Sequence, residues 1–68
     1  MDPVANLREQ KALLKRLEKL LYQWPKTAEL AFEVSATVEE LAMFTDGMEN
    51  WIELGGYVPT RTEVFGEK

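Results

Sequence analysis

Apolar residues recur along this chain at helical spacing. Leu7, Leu13, Leu14, Leu17, Leu20, Leu21 and Trp24 follow one another in steps that gather on one side of a 3.6-residue helix. With Leu14 taken as the centre of that face, Leu7, Leu17 and Leu21 lie within roughly 60° of it, and Leu13, Leu20 and Trp24 form one flank. Arg8, Lys11, Lys15 and Lys19 fall on the other flank, where their aliphatic stems can cover the core edge while the charges stay wet. A first helix over about residues 3–23 is predicted. Asp2 offers a capping acceptor, and Pro3 lacks only an N–H that the first turn does not need. Pro25 disfavours helical geometry at Trp24, which places a turn at residues 22–26.

A second stripe, Leu30, Val34, Val38, Leu41, Thr45, Met48 and Ile52, predicts a helix over about residues 26–54. Two features argue for a kink, near 35–37 or 46–47. Thr37 followed by Glu40 reads as a capping box, and Asp46-Gly47 as a breaker. The stripe keeps its phase through both, which favours one unbroken helix. Gly55-Gly56 then ends it, the first glycine suited to a left-handed residue just past the terminus. Residues 55–68 have too little periodicity for a third helix and read as an extended tail, either loose or folded back through Tyr57, Val58, Val64 and Phe65.

Charge divides with the helices. Residues 4–24 carry five cations and two anions, and residues 27–54 seven anions and no cation. Two arms of opposite sign with apolar stripes imply an all-α, antiparallel two-helix hairpin forming a single domain over residues 1–68. Sixty-eight residues sit near the lower size limit for a self-sufficient core, so dimerisation into a four-helix arrangement is expected.

Composition removes several chemistries. There is no cysteine and no histidine, hence no disulfide, thiolate metal site, imidazole base or imidazole ligand. The absence of cysteine fits a cytoplasmic protein. No apolar run approaches a membrane span, and the first residues do not read as a signal peptide. Glu39-Glu40 diverge by about 100° on a helix and do not share a cleft. Glu29 with Glu33 and Glu49 with Glu53 share faces, but without histidine or an Asp-rich loop they make poor metal ligands. Neither a cofactor nor an enzymatic activity is expected. A net charge of −4 and acidic neighbours for the basic flank place nucleic-acid binding third among the functional readings.

The two ends of the chain carry motifs. Asp2-Pro3-Val4-Ala5-Asn6-Leu7-Arg8-Glu9-Gln10 with Ala12-Leu13-Leu14-Lys15-Arg16-Leu17, and Trp51-Ile52-Glu53-Leu54-Gly55-Gly56-Tyr57-Val58-Pro59, resemble a group of small uncharacterised proteins of tailed bacteriophages, notably of actinobacterial hosts. That group has an Asp-Pro-x-Ala-Asn-Leu-x-Glu-Gln start and a Trp-Leu-x-x-Gly-Gly-Phe-Leu-Pro end. The chain departs from it at Tyr22-Gln23-Trp24-Pro25, where the group has a polar, acidic connector, and at Gly47. The resemblance implies a phage product acting in the cytoplasm of a bacterial host, and it supplies no activity.

Two surfaces are candidates for binding. Phe32, Ala36, Met43 and Leu54 lie nearly opposite the main stripe of the second helix, a row to be covered by a second copy, by a host or phage protein, or by the tail. Trp51, Ile52, Tyr57, Val58 and Pro59 lie where the longer second helix overhangs the first. They form either a partner-binding knob or a cap on the hairpin. The resulting expectation is a non-enzymatic phage interaction module. A structural homo-oligomer or virion-associated accessory protein is the alternative.

Overall fold

Residues 1–23 and 27–66 are described by the computed structural model. They form α1 (Pro3–Tyr22), α2 (Ala28–Glu53) and α3 (Arg61–Phe65). Trp24, Pro25 and Lys26, on which the predicted turn and the Trp24 flank rest, lie outside the described residues.

Local chemistry sets the helix ends. The Asp2 carboxylate accepts from the N–H groups of Val4 and Ala5 at 3.0 and 3.2 Å, and Pro3 occupies the first helical position, where its missing donor costs nothing. Thr27 caps α2 by accepting from Leu30 N–H at 3.1 Å. From there α2 runs 26 residues without interruption. Thr37 starts no new helix: it is 2% exposed, and its hydroxyl donates to the Glu33 carbonyl at 2.8 Å. Gly47 sits within α2 beside Asn6.

The two long helices pack against each other along a seam with alternating steps of three and four. It runs through Asn6, Gln10, Leu13, Leu17 and Leu20 on α1, and through Leu30, Val34, Thr37, Leu41, Phe44, Met48 and Trp51 on α2. That is the repeat of a coiled-coil interface. Asn6, Leu13, Leu20, Leu30, Thr37 and Met48 are buried, and the others are half-buried. Near the open end the seam is polar. Asn6 donates through Nδ2 to the Phe44 carbonyl at 3.0 Å, and Gln10 donates to Asn6 Oδ1 at 2.7 Å. These bonds fix the antiparallel register, because a one-heptad slip would strand a buried amide.

This seam corrects the predicted faces. Leu14, the expected centre, is 53% exposed and Leu21 is 50% exposed. Val38, Thr45 and Ile52 are also exposed. The polar pair Asn6 and Gln10 takes seam positions and turns α1 so that part of its leucine arc faces outward.

The tail is a second correction. Instead of remaining extended it forms α3. Thr60 and Glu63 make a reciprocal capping box, with Glu63 N–H to Thr60 Oγ1 and Thr60 N–H to Glu63 Oε1 both at 3.2 Å. Gly66 closes the turn at φ +69°, a conformation that glycine adopts without strain. Among the described residues α3 packs on α1 and not on α2, burying Val64. Arg8 reaches across to donate to the carbonyls of Val64 at 2.7 Å and Glu63 at 3.5 Å, and Lys11 Nζ stands 4.7 Å from the centre of the Phe65 ring. A cation near carbonyls at a helix end, and one over an aromatic face, are both favourable.

The helices therefore lie side by side in one layer with α1 in the middle. Its Cα atoms span 42 × 28 × 12 Å. Among the described residues no helix is long and apolar enough to cross a membrane.

Candidate functional site

The exit from α2 is built as a rigid corner. Gly55 adopts φ +80°. Its N–H donates to Ile52 O at 3.0 Å, and the N–H of Gly56 donates to Trp51 O at 2.9 Å. This is the paired closure of a Schellman motif. The chain then folds against Trp51, whose indole Nε1–H donates to the Tyr57 carbonyl at 2.7 Å. Gly56 lies flush on that ring: a Cβ there would stand 2.2 Å from Cε2.

A second brace joins this corner to α3. The Tyr57 hydroxyl donates to Glu63 Oε1, the oxygen that also completes the capping box. The bond to the carboxylate, with desolvation and the carboxylate charge behind it, raises the Tyr57 phenol above its ordinary 10.0. The same bond, followed by the Thr60 N–H, holds Glu63 below its ordinary 4.5. Each shift favours the donor-to-carboxylate pairing.

These contacts sort the predicted exit residues. Pro59 is buried and Trp51 half-buried, so both support the corner from inside; Pro59 is corrected from a surface to a core position. Ile52, Tyr57 and Val58 remain outside, with Tyr57 at 60% and Val58 at 52% exposure. Phe32, Met43 and Leu54 are strongly exposed and Ala36 is exposed. They run along the side of α2 turned away from α1, and Glu39 and Asn50 interrupt them on the same arc.

No protein family, curated protein or solved structure matches this chain. Its geometry therefore carries the functional argument. Among the described residues no group of three or more histidines, cysteines or acids could hold a metal ion.

One surface escaped the sequence reading. Leu14, Leu17, Glu18, Leu21 and Tyr22 line an open, apolar depression on α1, and Leu7, Gln10, Lys11, Leu14, Arg61 and Phe65 line its continuation toward α3. The signal was available as the strict heptad that places Asn6, Leu13 and Leu20 on the seam and hence Leu7, Leu14 and Leu21 one step outside it. The Thr60-x-x-Glu63 pattern that starts α3 was likewise readable.

Proposed function

We propose that this chain is a non-enzymatic protein-interaction module, of the bacteriophage kind that its terminal motifs resemble, acting in the cytoplasm of a bacterial host. The observation that carries this reading is the exit corner. Trp51, Gly56, Pro59 and the Tyr57–Glu63 bond hold it from within, while Ile52, Tyr57 and Val58 project outward. A braced apolar knob loses little conformational entropy on docking, and large side chains in such a position suit a binding hot spot. The excess of carboxylates on α2 would steer it toward a basic partner.

The test uses residues that brace nothing. Ile52→Asp with Val58→Asp should leave the melting curve of the purified protein in place. The pair should also remove a stoichiometric host or phage protein otherwise captured from expressing or infected cells, since losing a hot spot costs about 2 kcal/mol or more. Capture that survives both substitutions refutes the exit as the docking surface.

A second reading, a structural homo-oligomer built as a four-helix arrangement, is favoured by the single-layer shape. Stable helical domains cover their apolar stripes with a second layer. The Cα atoms of this chain span only 12 Å in their shortest dimension, and Leu13, Leu20, Leu30, Met48, Pro59 and Val64 are the buried apolar side chains among the described residues.

A further inference from the structure

An antiparallel helix pair has a local two-fold axis perpendicular to its plane, so equivalent positions on the two helices fall on the same side of the seam. The positions one step after Asn6, Leu13 and Leu20 are Leu7, Leu14 and Leu21. Those one step after Leu30, Thr37, Phe44 and Trp51 are Ala31, Val38, Thr45 and Ile52. One face of the layer is thus apolar. The opposite edge of the seam, one step before the alternate positions, carries Glu9, Arg16, Glu33, Glu40 and Gly47. Farther along the apolar face, α2 adds the small residues Ala28, Ser35 and Ala42. The face therefore pairs a leucine ridge on α1 with a shallow shelf on α2.

We infer that this face binds a second copy of the chain, with the leucine ridge of each α1 lying on the small-residue shelf of the partner's α2. The inference rests on the homo-oligomer reading and specifies its interface. Three observations select the occupant. First, size: a compact monomer of 7.8 kDa exposes about 4,400 Å². This chain exposes 5202 Å², an excess of about 800 Å², which is what one partner contributes to a standard interface. Second, shape: ridge and shelf belong to the same face, so a two-fold dimer satisfies both at once, as an isologous contact requires. Third, charge: stacking α2 on α2 would oppose two segments of seven carboxylates each, whereas α1 on α2 opposes net positive to net negative.

Phe65 and Arg61 of α3 border one end of the face, lining a depression with Leu7 and Leu14; the part clear of α3 is the half near the α1–α2 connection, centred on Leu14, Leu17, Leu21 and Val38. Lys15 and Lys19 are not committed to the cation–π contact that holds Lys11, and they add to the field of α1 there.

The test is sedimentation equilibrium with light scattering at high micromolar concentration, on the full chain. The parent should show twice 7.8 kDa. Leu14→Glu with Leu21→Glu should weaken the dimer by about 100-fold or more while helicity is kept, because both side chains are already half out of the hairpin. Leu14→Gln with Leu21→Gln serves as the milder pair if charge disturbs folding. Phe32→Glu with Met43→Glu should change the constant less than about threefold. Lys15→Glu with Lys19→Glu should weaken association at low salt if α1 meets α2, and tighten it if α1 meets α1. A monomeric parent overturns both the interface and the oligomer reading. A dimer that survives the leucine substitutions and is lost with Phe32→Glu and Met43→Glu overturns the interface alone. Tightening by the lysine substitutions overturns the α1-on-α2 arrangement.

Discussion

Replacing Gly56 by alanine isolates the bracing of the exit corner. The new methyl would lie 2.2 Å from Trp51 Cε2 and 2.4 Å from Cδ2 and Nε1, whereas carbon atoms rest about 3.5–4.0 Å apart. Gly56 has no positive φ, so the whole effect is steric. The indole cannot yield cheaply, since it is half-buried on the seam and its Nε1–H is bonded to Tyr57 O at 2.7 Å. Displacing it by about 1 Å or more forfeits that bond, worth about 1 kcal/mol net, and adds about 1–3 kcal/mol of overpacking. The expected loss is about 2–4 kcal/mol, a large share of the roughly 3–5 kcal/mol that a core of this size supplies. In a chain this short it lowers Tm by about 10–25 °C. The assay is thermal melting with near-UV circular dichroism in a Trp24→Phe background, so that Trp51 is the reporting indole. Gly55→Ala is the contrast: it meets nothing within 4 Å but stands at φ +80°. It should cost about 1–2 kcal/mol of backbone strain and leave the Trp51 spectrum unchanged. A Gly56→Ala protein that melts within about 2 °C of its parent, with the same indole spectrum, refutes the packing argument.

Three further outcomes are expected. Asn6→Ala removes the bond to Phe44 O and the acceptor of Gln10, and should cost about 2 kcal/mol in chemical denaturation; an unchanged midpoint would mean that the polar layer does not hold the register. Gly47→Ala should stabilise by about 0.5–1 kcal/mol, because its Cβ would meet Asn6 Nδ2 at an ordinary 3.6 Å; destabilisation would show that α1 needs a closer approach. The Tyr57–Glu63 brace has a pH window. Glu63, lowered from 4.5, contributes stability above that value and loses it as pH falls through its folded pKa. Tyr57, raised from 10.0, contributes below that value and loses it as pH rises through its folded pKa. Glu63→Gln should move the phenol titration back toward 10.0, read by tyrosinate absorbance in a Tyr22→Phe background; an unmoved titration sinks the brace.

The helical hairpin was legible because its punctuation is local: Asp2-Pro3 opens α1, and Gly55 closes α2 with the residue type that its dihedral angle demands. Its rotation was not. A wheel weighted by hydrophobicity centres on Leu14, but Asn6 and Thr37 are among the most buried residues, Asn6 satisfied by the remote Phe44 carbonyl and Thr37 by the Glu33 carbonyl one turn back in its own helix. The misassignment of Val38, Thr45 and Ile52 follows from the same cause, since one step around the seam exchanges inside for outside. α3 was missed because five residues show no periodicity. Its Thr60–Glu63 capping box is local, but what docks it on α1 is long-range, Arg8 and Lys11 arriving from the other end of the chain. At the exit the candidate residues do fall together around one corner, but the division between bracing and exposed members depends on the indole-to-carbonyl bond.

The attachment of α3 to α1 alone also orders the folding of the chain in time. Arg8 and Val64 are 56 residues apart, and closing that distance from an open coil is entropically expensive. Once α1 and α2 have paired, only residues 54–60 separate the end of α2 from α3, and the closure becomes cheaper by about 2 kcal/mol. α3 is therefore expected to dock after the hairpin forms and to detach before it melts. Its amides should exchange with solvent fastest among the three helices. Each detachment would release Arg8 from the Val64 carbonyl and Lys11 from the Phe65 ring, so the availability of those two cations is set by how often a five-residue helix lets go.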